Sequence, residues 1–224
     1  MVAAGHKAIK MRLGRYSVER EAKVVQAVRR AVGPDIKLMA DGNGAYTMAN
    51  ALKMAHYLRA YDFEFLEEPM PQRSNNYPGY DVLREKMPLP LAGGEALDSR
   101  EAAKALIDRR AFDIIQPDAS LCGGIGEVVF ISELAQLSGV RCYPHCWGAD
   151  IVIAATVQTL ALVPDPHFGL PTDTPFLELD QSENPWREGL AKGQIEVQDG
   201  FVRVPRTPGL GITVDEELVQ KYAV

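Results

Sequence analysis

Seven short apolar runs, separated by amphipathic stretches, constrain this chain more than any other feature. The runs are Ala8–Leu13, Ile36–Asp41, Phe63–Glu67, Leu89–Glu95, Phe112–Asp118, Val140–His145 and Phe176–Leu179. Between them, helical periodicity covers Val18–Val32, Met48–Tyr61, Ser99–Arg109, Ile125–Leu137 and Ala149–Val163, with a shorter and weaker stretch at Tyr77–Lys86. Parallel strands need long crossovers, usually helical, so this alternation implies a parallel sheet with helices outside it. Helix-start chemistry agrees: Ser17, Thr47 and Ser99 precede three of the helices, and Gly33-Pro34 and Gly139 stop two.

An open doubly wound sheet and a closed barrel both satisfy the alternation. Polar residues collect at the carboxyl ends of the runs: Lys10 and Arg12, Asp41 and Asn43, Glu67, Glu95, Asp118, His145, and Glu178. A barrel builds its site from the ends of most of its strands, which favours the barrel. Asp41, Glu67 and Glu95 end three successive runs. Three oxygens aimed at one point suit a hard divalent cation such as Mg²⁺. Glu67 and Glu68 cannot both face it, because neighbouring strand residues point opposite ways. A closed barrel needs eight strands and about 250 residues, whereas seven runs are found here in 224 residues, the last forty or so forming a tail. The missing strand is therefore expected before Met1. The barrel is expected over residues 1–180, with 181–224 completing it through the turn at Asp199-Gly200.

Composition narrows the partners. The net charge is −6 and the basic residues are scattered, which argues against nucleic acid. No secretory signal and no apolar run of bilayer length is present, which argues against a membrane. Cys122, Cys142 and Cys146 are an odd set in a chain of this size and read as reduced thiols of a cytoplasmic protein. Cys142 and Cys146 flank His145, but no second Cys/His pair has zinc-site spacing. Gly123-Gly124 reads as a turn before a helix and belongs to no phosphate-loop pattern. Trp147 either lines the site or packs beneath it.

Taken in order, the motifs Lys10-Met11-Arg12, Asp41-Gly42-Asn43, Glu67-Glu68-Pro69, Gly94-Glu95, Gln116-Pro117-Asp118 with Gly123-Gly124, and Pro144-His145 resemble the mandelate racemase subgroup of the enolase superfamily. The resemblance runs down to the closing Pro208-Gly209-Leu210-Gly211. The run Pro144–Gly148 and Glu178-Leu179-Asp180 resemble most the acid-sugar members, galactarolactone cycloisomerases among them.

The resemblance implies an α/β fold, a TIM-type (β/α)₇β barrel here lacking its first strand and an N-terminal α+β capping domain. It implies one Mg²⁺ ion on Asp41, Glu67 and Glu95, with Asn43 and Glu68 in support. His145, oriented by Asp118, is then the base that removes the proton α to a substrate carboxylate, and Lys10 stabilises the resulting charge. Glu178 is the acid that donates to the enolate. Arg12 departs from the pattern, because racemases of this type carry lysine at both outer positions of the triplet. Arginine is a poor base at neutral pH and a good planar clamp. That favours dehydration of a sugar acid to a 2-keto-3-deoxy acid. Galactarolactone-type cycloisomerisation, epimerisation, and a non-catalytic truncated barrel are the alternatives. The expected partner is a small hydroxy-acid or sugar-acid substrate, on a homo-oligomeric cytoplasmic protein.

Overall fold

Strands and helices alternate without exception through the first two thirds of the chain. The computed structural model describes residues 1–73, 75–163, 176–191 and 194–223. In chain order they form β1 (Ala8–Arg12), α1 (Val18–Val32), β2 (Lys37–Asp41), α2 (Met48–Ala60), β3 (Phe63–Glu67), α3 (Tyr80–Lys86), β4 (Leu91–Gly93), α4 (Arg100–Asp108), β5 (Ile114–Ile115), α5 (Ile125–Leu137), β6 (Arg141–Cys142) and α6 (Asp150–Leu160). The three expected caps are in place: Ser17 accepts from the Arg20 amide, Thr47 from Asn50 and Ser99 from Ala102.

All six strands pair in parallel in the order of the chain. The last three are shorter than their apolar runs because prolines interrupt them: Pro90 precedes β4, Pro117 follows β5 and Pro144 follows β6. Ladder bonds nonetheless continue past the strand ends, from Gln116 to the Gly93 carbonyl at 2.9 Å and from His145 to that of Pro117 at 3.2 Å. The run at Phe176–Leu179 departs from expectation. It takes no strand conformation, and it joins neither β1 nor β6 in the sheet. It approaches them through side chains, Phe176 meeting the Tyr143 ring edge-on at 5.6 Å between centroids.

The sheet has two apolar faces. Leu38, Ala40, Leu66, Leu91, Ile115 and Cys142 face the helices and join a large core with Met54, Leu58, Leu83 and Ile131. Met39, Phe65, Ala92, Ile114 and Tyr143 form a second cluster on the other face, joined by Ala8 and Phe176. One residue from each of β1–β5, and Tyr143 just past β6, thus contributes to an inner face, and the seventh segment adds Phe176 to it.

One irregularity decides which side chains point inward. Leu38 pairs with Phe63 but Ala40 pairs with Leu66, so β3 carries one extra residue. In an unbroken strand Phe63 and Glu67 would share a face. The bulge lets Phe63 bury among the helices while Phe65 and Glu67 face inward.

The tail adds α7 (Pro185–Gly189), a hairpin of β7 (Val197–Gln198) and β8 (Phe201–Val202), and α8 (Glu216–Tyr222). The hairpin turns at Asp199 and Gly200, as the sequence suggests, both with positive φ. Ile195 and Val202 pack on Ile153 and Val157 of α6 beside Cys146.

The loop after β1 is organised by one acid. Glu21, buried in the first turn of α1, accepts from the amides of Gly14, Arg15 and Tyr16 at 2.7, 2.8 and 3.1 Å, and from the Tyr46 hydroxyl. Replacing Glu21 with alanine leaves those amides without their acceptor. The expected loss is about 2–4 kcal/mol, given about 1–3 kcal/mol for each buried group left unsatisfied. Urea unfolding of Glu21→Ala beside the parent chain measures it.

Candidate active site

The polar residues named from the sequence follow the inner-face residues at a spacing of two. Lys10 and Arg12 follow Ala8, Asp41 follows Met39, Glu67 follows Phe65, Asp118 follows Ile114 by four, His145 follows Tyr143, and Glu178 follows Phe176. Alternation therefore carries the inner face up to one rim. There a cavity of about 670 Å³ is lined by Lys10, Arg12, Asp41, Asn43, Glu95, His145 and Glu178, among others. Glu95 breaks the spacing. Gly94, at φ +112°, turns the chain just before it.

Register sets the first contacts. Arg12 stands beside Asp41, and Asp41 beside Glu67. Arg12 reaches Asp41 at 3.3 Å, with half of its own side chain exposed. Lys10 reaches past Asp41 to Glu67 Oε2 at 2.6 Å and also bonds Glu178. The Asn43 amide, at a left-handed φ of +43°, donates to Asp41 Oδ1 at 2.7 Å. Glu68 faces away from the cavity. It accepts from the Tyr77 hydroxyl at 2.8 Å and from the amides of Gly94 and Glu95 at 2.9 and 3.3 Å, so it holds the turn that presents Glu95.

Asp118 and His145 meet as the sequence suggests. His145 Nδ1 lies 2.7 Å from Asp118 Oδ2, and the other Asp118 oxygen accepts from the Ser120 amide and hydroxyl. His145 Nε2 is left facing Glu95 at 3.4 Å and Glu178 at 3.9 Å. The Cys146 amide donates to Glu178 at 3.2 Å.

These contacts set the charges. Burial pulls the His145 imidazolium down, but the Asp118 bond and the nearby charges of Glu178 and Glu95 outweigh it, and His145 is pushed up to about 9. Burial would lift Asp118, yet the bonds from His145 and Ser120 hold it below the usual carboxylate range. Burial and the Glu67 charge push Asp41 up to about 7, against Lys10 and Arg12. Burial and the Glu95 charge push Glu68 up to about 7. For Lys10, burial opposes the charge, but Glu67 and Glu178 together raise it above its ordinary value.

Of the three acids named as metal ligands, Asp41 and Glu95 line the cavity and Glu67 is buried beside Asp41, and the three do not converge on one point. Among the described residues, no group of three or more His, Cys, Asp and Glu side chains has metal-holding geometry. Glu67 is drawn to Lys10, and Glu95 to Gln72 at 3.3 Å and to His145. Cys142 faces the helices, and Cys146, although beside His145 at the cavity, packs against Ile153 and Val157; among the described residues the two thiols and the imidazole form no metal-holding group. Trp147 stands on the rim, 69% exposed, its indole N–H donating to Asp180 at 3.0 Å.

Several contributors carry no strong sequence signal. Gln72 and Ser120 lie in loops, and their roles come from tertiary placement. Gln116 is different. It sits two residues after Ile114 and two before Asp118, so the alternation alone places it on the inner face.

A parallel α/β sheet with this ordered set of strand-end residues matches the enolase C-terminal domain-like family over residues 1–218, and the chain belongs to that family. It is 36% identical to D-galactarolactone cycloisomerase of Agrobacterium fabrum over 98% of this chain and 57% of that protein. It is 31% identical to arabinonate dehydratase of Saccharolobus solfataricus over 99% of this chain and 56% of that one. The crystal structure of 3,6-anhydro-D-galactonate cycloisomerase from Zobellia galactanivorans superimposes with a TM-score of 0.88 at 37% identity, over 99% of this chain and 60% of that one. A racemase from Streptomyces coelicolor A3(2) with bound magnesium superimposes with a TM-score of 0.84 at 26% identity, over 100% of this chain and 57% of that one. The chain thus spans somewhat more than half the length of these relatives.

The raised His145 has a consequence for stability. A group whose folded pKa lies above its unfolded value stabilises the fold below the unfolded value, and that contribution fades as pH rises through the folded one. Without added metal, the His145 ring should titrate near about 9, followed by NMR. Asp118→Asn should move it down toward the ordinary histidine value of about 6.5. The stability gap between the two proteins should be widest between about pH 4 and about pH 6.5, narrowing as pH rises through about 9 and again as Asp118 takes up a proton in acid.

Proposed function

We propose that this chain carries the active site of an enzyme that removes the proton α to the carboxylate of a small sugar acid and then expels the β-hydroxyl, giving a 2-keto-3-deoxy acid. The observation that carries the reading is the pairing of His145 with Asp118 at one edge of the sheet, facing Lys10 at the other edge across Glu178 and the acid row. The reading places these residues at the carboxyl-terminal mouth of a (β/α)₇β barrel. The inner-face cluster, with one residue from or beside each strand and Phe176 against Tyr143, supports it.

The donor chemistry of the acid row, though not its present spacing, suits a hard divalent cation. Asp41, Glu67 and Glu95 offer only oxygen, and Glu67 Oε1 is buried without a partner. Asp41 is lifted by burial and by the Glu67 charge, as expected where neighbouring acids outweigh the cations available. These three residues would hold Mg²⁺, which when bound would supply positive charge for the substrate carboxylate and for the negative charge that develops there.

The chain's own residues do the rest. Asp118 fixes the His145 ring through Nδ1, leaving Nε2 to accept the α-proton in the neutral form. The C–H electron pair moves into the carboxylate, and Lys10 stands against the charge that accumulates. The imidazolium returns its proton to the β-hydroxyl, which leaves as water while the pair closes a carbon–carbon double bond. The resulting enol rearranges to the 2-keto acid. Arg12 serves as a cationic clamp at the open edge of the cavity, and its permanent charge excludes it as the opposing base. A positioned acid–base group is worth roughly 10²–10⁴ in rate, so the electrostatic groups must supply the larger share.

Cycloisomerisation is the second reading, favoured by the 36% identity to D-galactarolactone cycloisomerase. It would use the same α-proton abstraction and expel a ring oxygen instead of a hydroxyl. Product analysis separates the two.

The test is turnover of a panel of sugar acids and their lactones with and without Mg²⁺, by the protein that carries this chain. Turnover should require the metal. His145→Asn should cost roughly 10²–10⁴ in kcat, and Glu95→Gln at least as much. In D₂O, His145→Asn should also lose exchange of the α-proton; retained exchange would show that another group is the base. Absence of turnover on every acid and lactone would leave a non-catalytic scaffold as the better reading.

A further inference from the structure

Glu67 does not present its two oxygens equally. Oε2 takes both available donors, Lys10 Nζ at 2.6 Å and Gln116 Nε2 at 2.9 Å, while Oε1 is buried with no partner. Gln116 is itself 1% exposed, and its own Oε1 also has no partner. A buried amide with one unmet acceptor is costly. Its placement is nevertheless held firmly. The Gln116 amide bonds the Gly93 carbonyl at 2.9 Å, and Pro117 biases the residue before it toward extended backbone. Alternation then turns the side chain inward, and it crosses β4 to reach Glu67 on β3.

We infer that Gln116 is a positioning residue that, together with Lys10, commits Oε2 of Glu67 to the protein and leaves Oε1 as the single oxygen offered to a divalent cation. The inference rests on the metal reading of the acid row given above. Lys10 alone could neutralise Glu67, but a flexible ammonium does not fix the carboxylate's rotation as a planar amide does. With the donor at Gln116 removed, the carboxylate is free to turn, and the oxygen facing the cation is no longer defined. Groups that orient a metal ligand typically set its affinity by about 10–100-fold.

The test uses Mn²⁺ as the probe, titrated into the intact protein and followed by electron paramagnetic resonance and calorimetry. Gln116→Leu and Gln116→Met both keep the volume and remove the donor, and circular dichroism selects whichever retains the parent's helix content. The expected result is a Kd for Mn²⁺ raised about tenfold or more. Mn²⁺ affinity equal to that of the parent, whether or not the melting midpoint in EDTA falls, would overturn the inference and make Gln116 a packing residue only. If the parent chain binds no Mn²⁺, the metal reading fails first and the inference falls with it, so that arm tells the two failures apart.

Discussion

Two carboxylates side by side on a buried face are costly, and most of the site answers that cost. Parallel register places Asp41 directly beside Glu67, both nearly free of solvent. Like charges so close resist ionising together. Arg12 on one side, Lys10 reaching across, the Asn43 amide and the Gln116 amide are all arranged as positive or donating partners to this pair. Arg12 and Asn43 stand partly in solvent, whereas Lys10 and Gln116 are largely buried. The arrangement can be maintained because the strands beneath are packed on both faces, so the backbone cannot relax to separate the acids.

The same geometry ties the Asp118–His145 pair to the acid row. His145 and Asp118 lie on the far edge of the sheet, yet Glu178 contacts Lys10 through one oxygen and the Cys146 amide through the other. Glu178 therefore bridges the two edges of the sheet at the rim, while Phe176 packs on Tyr143 just past β6 and lies with its ring centroid 5.4 Å from Lys37 Nζ on β2. A segment without regular structure thus links at the rim, through one side chain, what a strand would link by hydrogen bonding.

Much of this was legible in the residues themselves. Apolar runs and helical periodicity located β1–β6 and α1–α6 but not α7 or α8 of the tail, and the Asp118–His145 contact followed from their place on neighbouring strand ends. Other features were not legible. Phe176–Leu179 has the apolar pattern of a strand, but a strand also requires a partner backbone, which pattern does not report. Glu21 looks like any acid in the first turn of a helix, and only the path of the loop after β1 makes it an acceptor for three amides. The turning of Glu95 toward the cavity depends on Gly94 and on Glu68 beneath it, a relation between two strands that no single segment contains.

The bulge in β3 has a consequence for how such a chain can change over time. The residue count between Phe63 and Leu66 sets whether Phe63 and Glu67 lie on opposite faces. A substitution there alters one side chain, whereas a one-residue insertion or deletion would either send Phe63 into the inner face or turn Glu67 out among the helices and bring Glu68 in. The length of this short strand therefore matters to the site as much as the identity of its acids. Indels should accumulate in the loops that follow the strands and be purged from β3 itself.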